Sequence, residues 1–270
     1  MMHVERHGMG RPLLLLHGLG SSLRTWDLVV PHLAAEREVI ALDLPGFGAT
    51  PPLPSPVTIA ALTDAVQAFL ATSGLDDVDL VGSSLGGRIA LDLAARGHRG
   101  HVVALAPLGF WSDRQAKIFR MTVGNSMKAI RVAHSVLPLL GNNPIGRSTL
   151  LAQFSARPWT LREDFVLTEL RGYKSSASLN TVLDALVKGP APEATAASGG
   201  VDAGGDAGGD AGRGITIGWG RQDKVTMPSE AERVTDLFPH ASVHWFEDCG
   251  HYPQWDQPEE TVRVILDATR

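Results

Sequence analysis

Four short apolar runs limit most strongly what this 270-residue chain can fold into. Leu13–Leu16, Val39–Leu42, Val78–Val81 and Val102–Ala106 are each too brief for a core helix. They alternate with longer amphipathic stretches at Thr25–Ala35, Thr58–Thr72 and Leu85–Arg96, which carry helical spacing. A strand whose successive residues are all apolar must be covered on both faces, and the covering elements here are helices. The rhythm returns late, with Ile215–Trp219 and Val243–Phe246 as strands, a helix at Ser229–Phe238 between them, and a closing helix at Glu259–Thr269. The expected class is α/β, with a doubly wound, mostly parallel sheet.

The middle of the chain breaks that rhythm. Residues 109–188 keep helical spacing with interruptions at Pro138, Gly141, Pro144 and Pro158 and show no buried strand, so they read as a helical insertion. Residues 1–108 and 189–270 then form one core around it. Within the second half, residues 194–214 are almost wholly Ala, Gly and Asp, with Asp202, Asp206 and Asp210 every four residues. Such a segment has nothing to bury and is expected to be a flexible loop. It lacks the nine-residue period of calcium-binding β-rolls, so no metal is expected there. The loop Asp43-Leu44-Pro45-Gly46-Phe47-Gly48, followed by Pro51, Pro52, Pro54 and Pro56, fits neither period and reads as an irregular connection.

Composition excludes several functional classes. Lys plus Arg number 24 against 29 Asp plus Glu, a net charge of −5 that offers no basic footprint for nucleic acid. Cys249 is the single cysteine, which rules out an internal disulfide and a Cys-rich metal site. The first long aliphatic run, Leu13–Leu16, is too short for a secretory core, and no stretch approaches the ~20 apolar residues that cross a bilayer. A soluble, cytoplasmic chain without nucleic-acid or membrane partners is expected, of undetermined oligomeric state.

The sharpest chemical signal is Gly82-Ser83-Ser84-Leu85-Gly86-Gly87, where a buried strand ends and a helix begins. A reversal that tight forces strained backbone on the central residue and leaves no room for side chains two positions away, which Gly82 and Gly86 satisfy. Ser84 is therefore the exposed hydroxyl and the candidate nucleophile. Its base must be a histidine, and of the ten in the chain only His251 sits on a late loop between the last strand and the last helix. The orienting carboxylate is assigned to Asp223, just beyond Ile215–Trp219, because the position after Val102–Ala106 holds Pro107-Leu108 and no acid. Charge developing on a tetrahedral oxygen needs donors, and the backbone N–H groups of Leu19 and Leu85 are the candidates. Leu19 belongs to the glycine-rich His17-Gly18-Leu19-Gly20 after the first strand, a loop that His17 is expected to hold by side-chain hydrogen bonds.

Together the His17–Gly20 loop, the Asp43–Gly48 loop, the Ser84 turn, Asp223 and Gly250-His251 resemble the α/β-hydrolase superfamily. That resemblance implies an eight-stranded sheet, a helical cap inserted after the sixth strand, and Ser-His-Asp chemistry without a cofactor. It also implies a short or incomplete opening hairpin, because only Met2–Arg6 precedes the strand at Leu13. A pocket is expected between sheet and cap, with Phe110, Trp111, Met121, Met127, Phe154 and Trp159 as candidate lining residues. Serine at position 84 argues against the aspartate-nucleophile dehalogenases and epoxide hydrolases of the superfamily. The implied reaction is hydrolysis of small to medium carboxylic esters or lactones. Gly250-His251-Tyr252-Pro253-Gln254-Trp255 is similar to the end of the meta-cleavage-product hydrolases, which break carbon–carbon bonds. That group usually has Asn before the serine and Met after it, where this chain has Ser83 and Leu85, so it ranks second. A binding protein of the same fold is the third reading.

Overall fold

A computed structural model describes residues 1–54, 56–190, 192 and 214–270. Seven strands form one sheet among these residues: β1 (Val4–His7), β2 (Pro12–Leu16), β3 (Glu38–Leu42), β4 (Asp79–Ser83), β5 (Val102–Leu105), β6 (Ile215–Gly220) and β7 (Ser242–Phe246). Their order is β1-β3-β2-β4-β5-β6-β7, parallel throughout except where β1 runs antiparallel to β3. The sheet thus has one described strand fewer than the eight that the resemblance implied. Among the described residues β1 alone precedes β2, and a run of helices follows β5.

The leucines of β2 show why the sheet must be covered twice. Leu13 and Leu15 point into a layer with Trp26, Leu33, Val264 and Ile265, while Leu14 and Leu16 point into the layer on the other side with Leu62, Val66 and Ile89. All four are fully buried. The same alternation splits Val39 and Ala41 from Ile40 and Leu42 in β3, and Val103 and Leu105 from Val102 and Ala104 in β5. Burying each such side chain contributes about 1.5–3 kcal/mol, so every central strand anchors two helical layers at once.

The helices of the core are α1 (Val30–Leu33), α2 (Ile59–Ser73) and α3 (Leu85–Ala95). The single helix expected over Thr25–Ala35 is broken instead: a 3₁₀ turn at Leu23–Trp26, capped by the Ser22 hydroxyl, precedes the one-turn α1, which starts just before Pro31. Between β5 and β6 the described chain is helical, with α4 (Asp113–Val132), α5 (Leu137–Gly141), α6 (Pro144–Leu151), α7 (Glu163–Ser175) and α8 (Leu179–Lys188). A capping box between Ser112 and Gln115 starts α4 just beyond the β5 loop. The Ala/Gly/Asp stretch at 194–214 lies outside the described residues apart from its last glycine. The core then resumes with β6, α9 (Ala231–Leu237), β7, the short α10 (Pro253–Asp256) and α11 (Pro258–Ala268). No helix among the described residues is long and apolar enough to cross a membrane.

Polar groups tie the amino edge of the sheet together. Arg37 and Arg11 both bond the fully buried carboxylate of Asp79, at 2.6 and 2.9 Å. Arg37 also donates to the Thr269 carbonyl and hydroxyl, pinning the end of α11. A hollow of about 470 Å³ lined by Arg11, Leu75, Val78 and His101 lies at this edge, away from the strand ends where the candidate residues gather.

Candidate active site

Parallel register brings the carboxyl ends of β2, β4, β6 and β7 to one edge, the position where open α/β sheets collect their functional loops. Ser84 stands at the end of β4 with φ 57° and ψ −111°, a left-handed conformation that costs a non-glycine residue roughly 1–3 kcal/mol. Surrounding contacts hold it there. Its N–H donates to the Leu105 carbonyl at 2.8 Å, and its carbonyl accepts from Leu108 and Arg88. The flanking glycines are required by contact: a Cβ on Gly82 would lie 2.1 Å from the Gly86 carbonyl oxygen, and one on Gly86 would lie 2.1 Å from that of Leu16.

Three side chains distant in the sequence meet at this turn. The His251 imidazole reaches Ser84 Oγ through Nε2 at 2.9 Å and Asp223 Oδ2 through Nδ1 at 2.9 Å. A carboxylate only accepts, so Nδ1 carries the proton and Nε2 is left to accept from the Ser84 hydroxyl. Asp223 is itself held from its far side, where Val225 N–H and Thr226 N–H donate to Oδ1 at 2.8 and 3.0 Å. The Thr226 hydroxyl donates to Oδ2 at 2.7 Å. Ser84, Asp223 and His251 are all buried.

Thr226 and Glu230 are neighbours that sequence reasoning missed. Thr226 had a readable signal, since a hydroxyl three residues after an Asp that follows a strand is placed to close a turn on its carboxylate. Glu230 had none. It is buried, and loss of solvation, aided by the nearby Asp223 charge, pushes its carboxyl up to about 7. A partly neutral Glu230 spares Asp223 a second full negative charge next door.

The glycine-rich loop after β2 lies directly against the nucleophile. A Cβ on Gly18 would sit 3.1 Å from Ser84 Cβ. The Leu19 and Leu85 amides donate to no acceptor among the loop and turn hydrogen bonds of the described residues. His17 fastens this loop. Its Nδ1–H donates to the Gly18 carbonyl at 2.7 Å and its Nε2 accepts from Leu44 N–H at 2.9 Å, an arrangement that needs the neutral ring. Burial holds the imidazole below its usual value, in keeping with that tautomer. The Asp43–Gly48 loop is organised by Asp43, whose carboxylate accepts from Leu23 N–H, Ala49 N–H and the His3 ring, each at 2.8 Å.

The helical segment meets the loops of the site through two sets of contacts. On one side the His251 amide donates to the Phe154 carbonyl at 2.9 Å, and Asp256 accepts from Gly250 N–H, Ala156 N–H and the Ser155 hydroxyl. On the other, the Ser21 hydroxyl donates to Glu169 Oε2 at 2.7 Å and Ser176 Oγ reaches the Gly20 carbonyl. Of the expected lining residues, Phe154 is buried with its ring facing Tyr173 and Tyr252. Phe110 is buried under the Arg88 guanidinium, and Trp111 packs on Phe119 with centroids 4.4 Å apart. Met127 belongs to the inward stripe of α4, with Phe119 and Val123. Met121 and Trp159 do not join this wall. Met121 is 60% exposed on the opposite face of α4, and Trp159 is 50% exposed beside Ile145 and Thr149 on the outside of the cap.

Cys249 is buried, and loss of solvation pushes its thiol up, so it is no rival nucleophile. Among the described residues no cluster of three His, Cys, Asp or Glu side chains is placed to hold a metal ion.

Residues 13–264 match the family model described as the alpha/beta hydrolase family. The chain is 28% identical over 266 residues to 2-hydroxymuconate semialdehyde hydrolase of Pseudomonas sp. (strain CF600), covering 97% of this chain and 86% of that protein. It is 26% identical over 262 residues to the dihydrolipoyllysine-residue acetyltransferase component of the acetoin cleaving system of Cupriavidus necator. That match covers 96% of this chain, which spans 63% of the relative's length. Among solved structures, a thermophilic esterase from Thermogutta terrifontis superposes with a TM-score of 0.72 at 18% identity, covering 100% of this chain and 94% of that one. The last likeness is one of fold.

Proposed function

The chain belongs to the alpha/beta hydrolase family, and on that premise we propose that it hydrolyses carboxylic esters or lactones through an acyl-enzyme on Ser84. The observation that carries this reading is the unbroken hydrogen-bond chain from Asp223 through His251 to Ser84, with 2.9 Å at both links. Ser84 Oγ attacks the substrate carbonyl while His251 Nε2 takes its proton. Asp223 stabilises the imidazolium without itself being protonated. The oxyanion is met by the Leu19 and Leu85 amides, the second at the start of α3, where the helix dipole adds to it. Collapse of the tetrahedral intermediate passes the proton from His251 to the departing alkoxide. Water, deprotonated by the same imidazole, then releases the acid. No cofactor is needed for these steps.

The apolar residues nearby in the fold, Leu19 and Leu85 on the flanking loop and helix and the buried Phe110 and Phe154, suit an uncharged acyl chain of small to medium length. The test is turnover of p-nitrophenyl acetate and labelling by a fluorophosphonate. Both should occur in the wild type and vanish in Ser84→Ala. Absence of both in the folded wild type would favour the reading as a binding protein of the same fold.

Carbon–carbon bond hydrolysis is the second reading, favoured by the named activity of the Pseudomonas relative and by the Gly250–Trp255 stretch. In this protein Gln254 of that stretch donates to the Ser83 hydroxyl at 3.1 Å. A ring-fission dienoate turned over faster than any ester in a substrate panel would establish this reading in place of the first.

A further inference from the structure

Three buried polar side chains around the His17–Ser21 loop have no part in the steps above. Glu169 and Tyr173 lie four residues apart on α7 and share its inward face. Tyr252 directly follows His251. Relative exposures are 2% for Glu169, 0% for Tyr173 and 2% for Tyr252. The Tyr173 ring lies on the oxyanion loop, since a Cβ on Gly20 would come within 2.4 Å of its Cδ1. Tyr252 Oη and Ser84 Cβ each lie 3.1 Å from the point a Gly18 Cβ would occupy. Phe154 packs against both phenol rings, with centroids 6.0 and 6.2 Å away. Tyr252 thus lies beside the nucleophile, Tyr173 against Gly20 of the oxyanion loop, and Glu169 at Ser21 just beyond it.

Their hydrogen bonding is incomplete. Glu169 Oε2 accepts from Ser21, but Glu169 Oε1 is buried with no partner in the protein, and the Tyr173 hydroxyl has only that of Tyr252 to pair with. A polar atom left so is costly unless something else supplies its bond. Burial pushes the Glu169 carboxyl up to about 8 and raises both phenols, so all three are largely neutral O–H donors at pH 7. The groups that act on them are Ser21, Asp27, Asp223 and one another, with no Lys or Arg. An anionic ligand would find no countercharge here. A neutral oxygen acceptor would find donors.

We propose that Tyr173, Tyr252 and Glu169 form a specificity station for the reaction at Ser84, selecting substrates that carry a second, uncharged oxygen acceptor such as a ketone carbonyl. Plain alkyl substrates leave the station unpaired, and carboxylate-bearing ones bring a charge it cannot balance. This rests on the hydrolytic reading of Ser84. A site built to hydrogen-bond a substrate group discriminates strongly against the analogue that lacks it.

The test compares kcat/KM at pH 7 for matched esters. On the acyl side these are p-nitrophenyl hexanoate, p-nitrophenyl 5-oxohexanoate and the mono-p-nitrophenyl ester of adipic acid. On the alcohol side they are pentyl and 4-oxopentyl hexanoate. The expected result is a preference of at least about tenfold for the oxo ester in one arm, which also tells which fragment meets the station, with the adipate ester the poorest. In Tyr173→Phe and in Tyr252→Phe that ratio should fall below about threefold; either variant suffices if the other does not fold. Ser84-dependent hydrolysis with no oxo preference in either arm, or a preference that survives both substitutions, overturns the proposal and leaves the hydrolytic reading standing. Preference for the adipate ester overturns it too. Failure of every ester together with absence of fluorophosphonate labelling removes the hydrolytic reading, and this inference with it.

Discussion

Replacing Glu169 by Gln should change how stability depends on pH, because the wild-type carboxyl is held neutral by burial. An unfolded chain releases this proton near 4.5, whereas the folded protein keeps it until about 8. Between those values the native state binds more protons than the unfolded one, so stability falls as pH rises through the window. Each pH unit crossed inside it removes about 1.4 kcal/mol, so the cost is below about 1 kcal/mol at pH 5 and about 4 kcal/mol at pH 8. Gln carries the same shape without a titrating proton, and its carbonyl still accepts from Ser21. Urea unfolding followed by tryptophan fluorescence at pH 5, 6, 7 and 8 reads the difference. The variant should gain about 3 kcal/mol on the wild type across that range. Taking the difference between the two proteins cancels Glu230, whose carboxyl, raised to about 7, acts in the same direction. A wild-type-minus-variant difference that stays flat within about 1 kcal/mol would refute the reasoning.

Asp223→Asn should lower kcat by about 10⁴ with the circular dichroism spectrum unchanged, because an amide favours the wrong His251 tautomer; near-normal steady-state turnover would remove Asp223 from its role. Gly86→Ala forces a Cβ to 2.1 Å from the Leu16 carbonyl oxygen, and should cost about 1–3 kcal/mol or more in urea unfolding. Wild-type stability there would mean the turn is looser than described. Asp256→Ala strips the acceptor from the Gly250 and Ala156 amides and the Ser155 hydroxyl. It should cost at least about 2 kcal/mol in the same assay, and an unchanged unfolding midpoint would contradict it.

The sheet was legible because Leu13–Leu16 and its counterparts bury both faces, a demand that local sequence displays openly. Ser84, Asp223 and His251 were legible for a related reason: each follows a recognisable strand, and parallel pairing sends those ends to one edge. Cap residues offered less. Met121 was picked for its type, whereas the phase of α4 places Phe119, Val123 and Met127 inward and turns Met121 out. Helix 25–35 failed as a single element because periodicity does not register the Ser22 cap or the stop near Pro31. Glu169 and Tyr173 were invisible since, at four-residue spacing, they look like any half-polar helix stripe. Only the fold shows that Tyr252, from the other end of the chain, approaches the same loop.

The Asp256 knot couples the helical segment to the catalytic base. Residues 154–157 are fastened to the very loop that carries the base, so prising them up would pull His251 off line with the serine. The start of α8 is moored likewise, through Ser178 N–H to the Gly46 carbonyl. These two moorings tie the helical segment to the loop that carries the base at one end and to the Asp43–Gly48 loop at the other, so a shift of either would be felt where the reacting groups align.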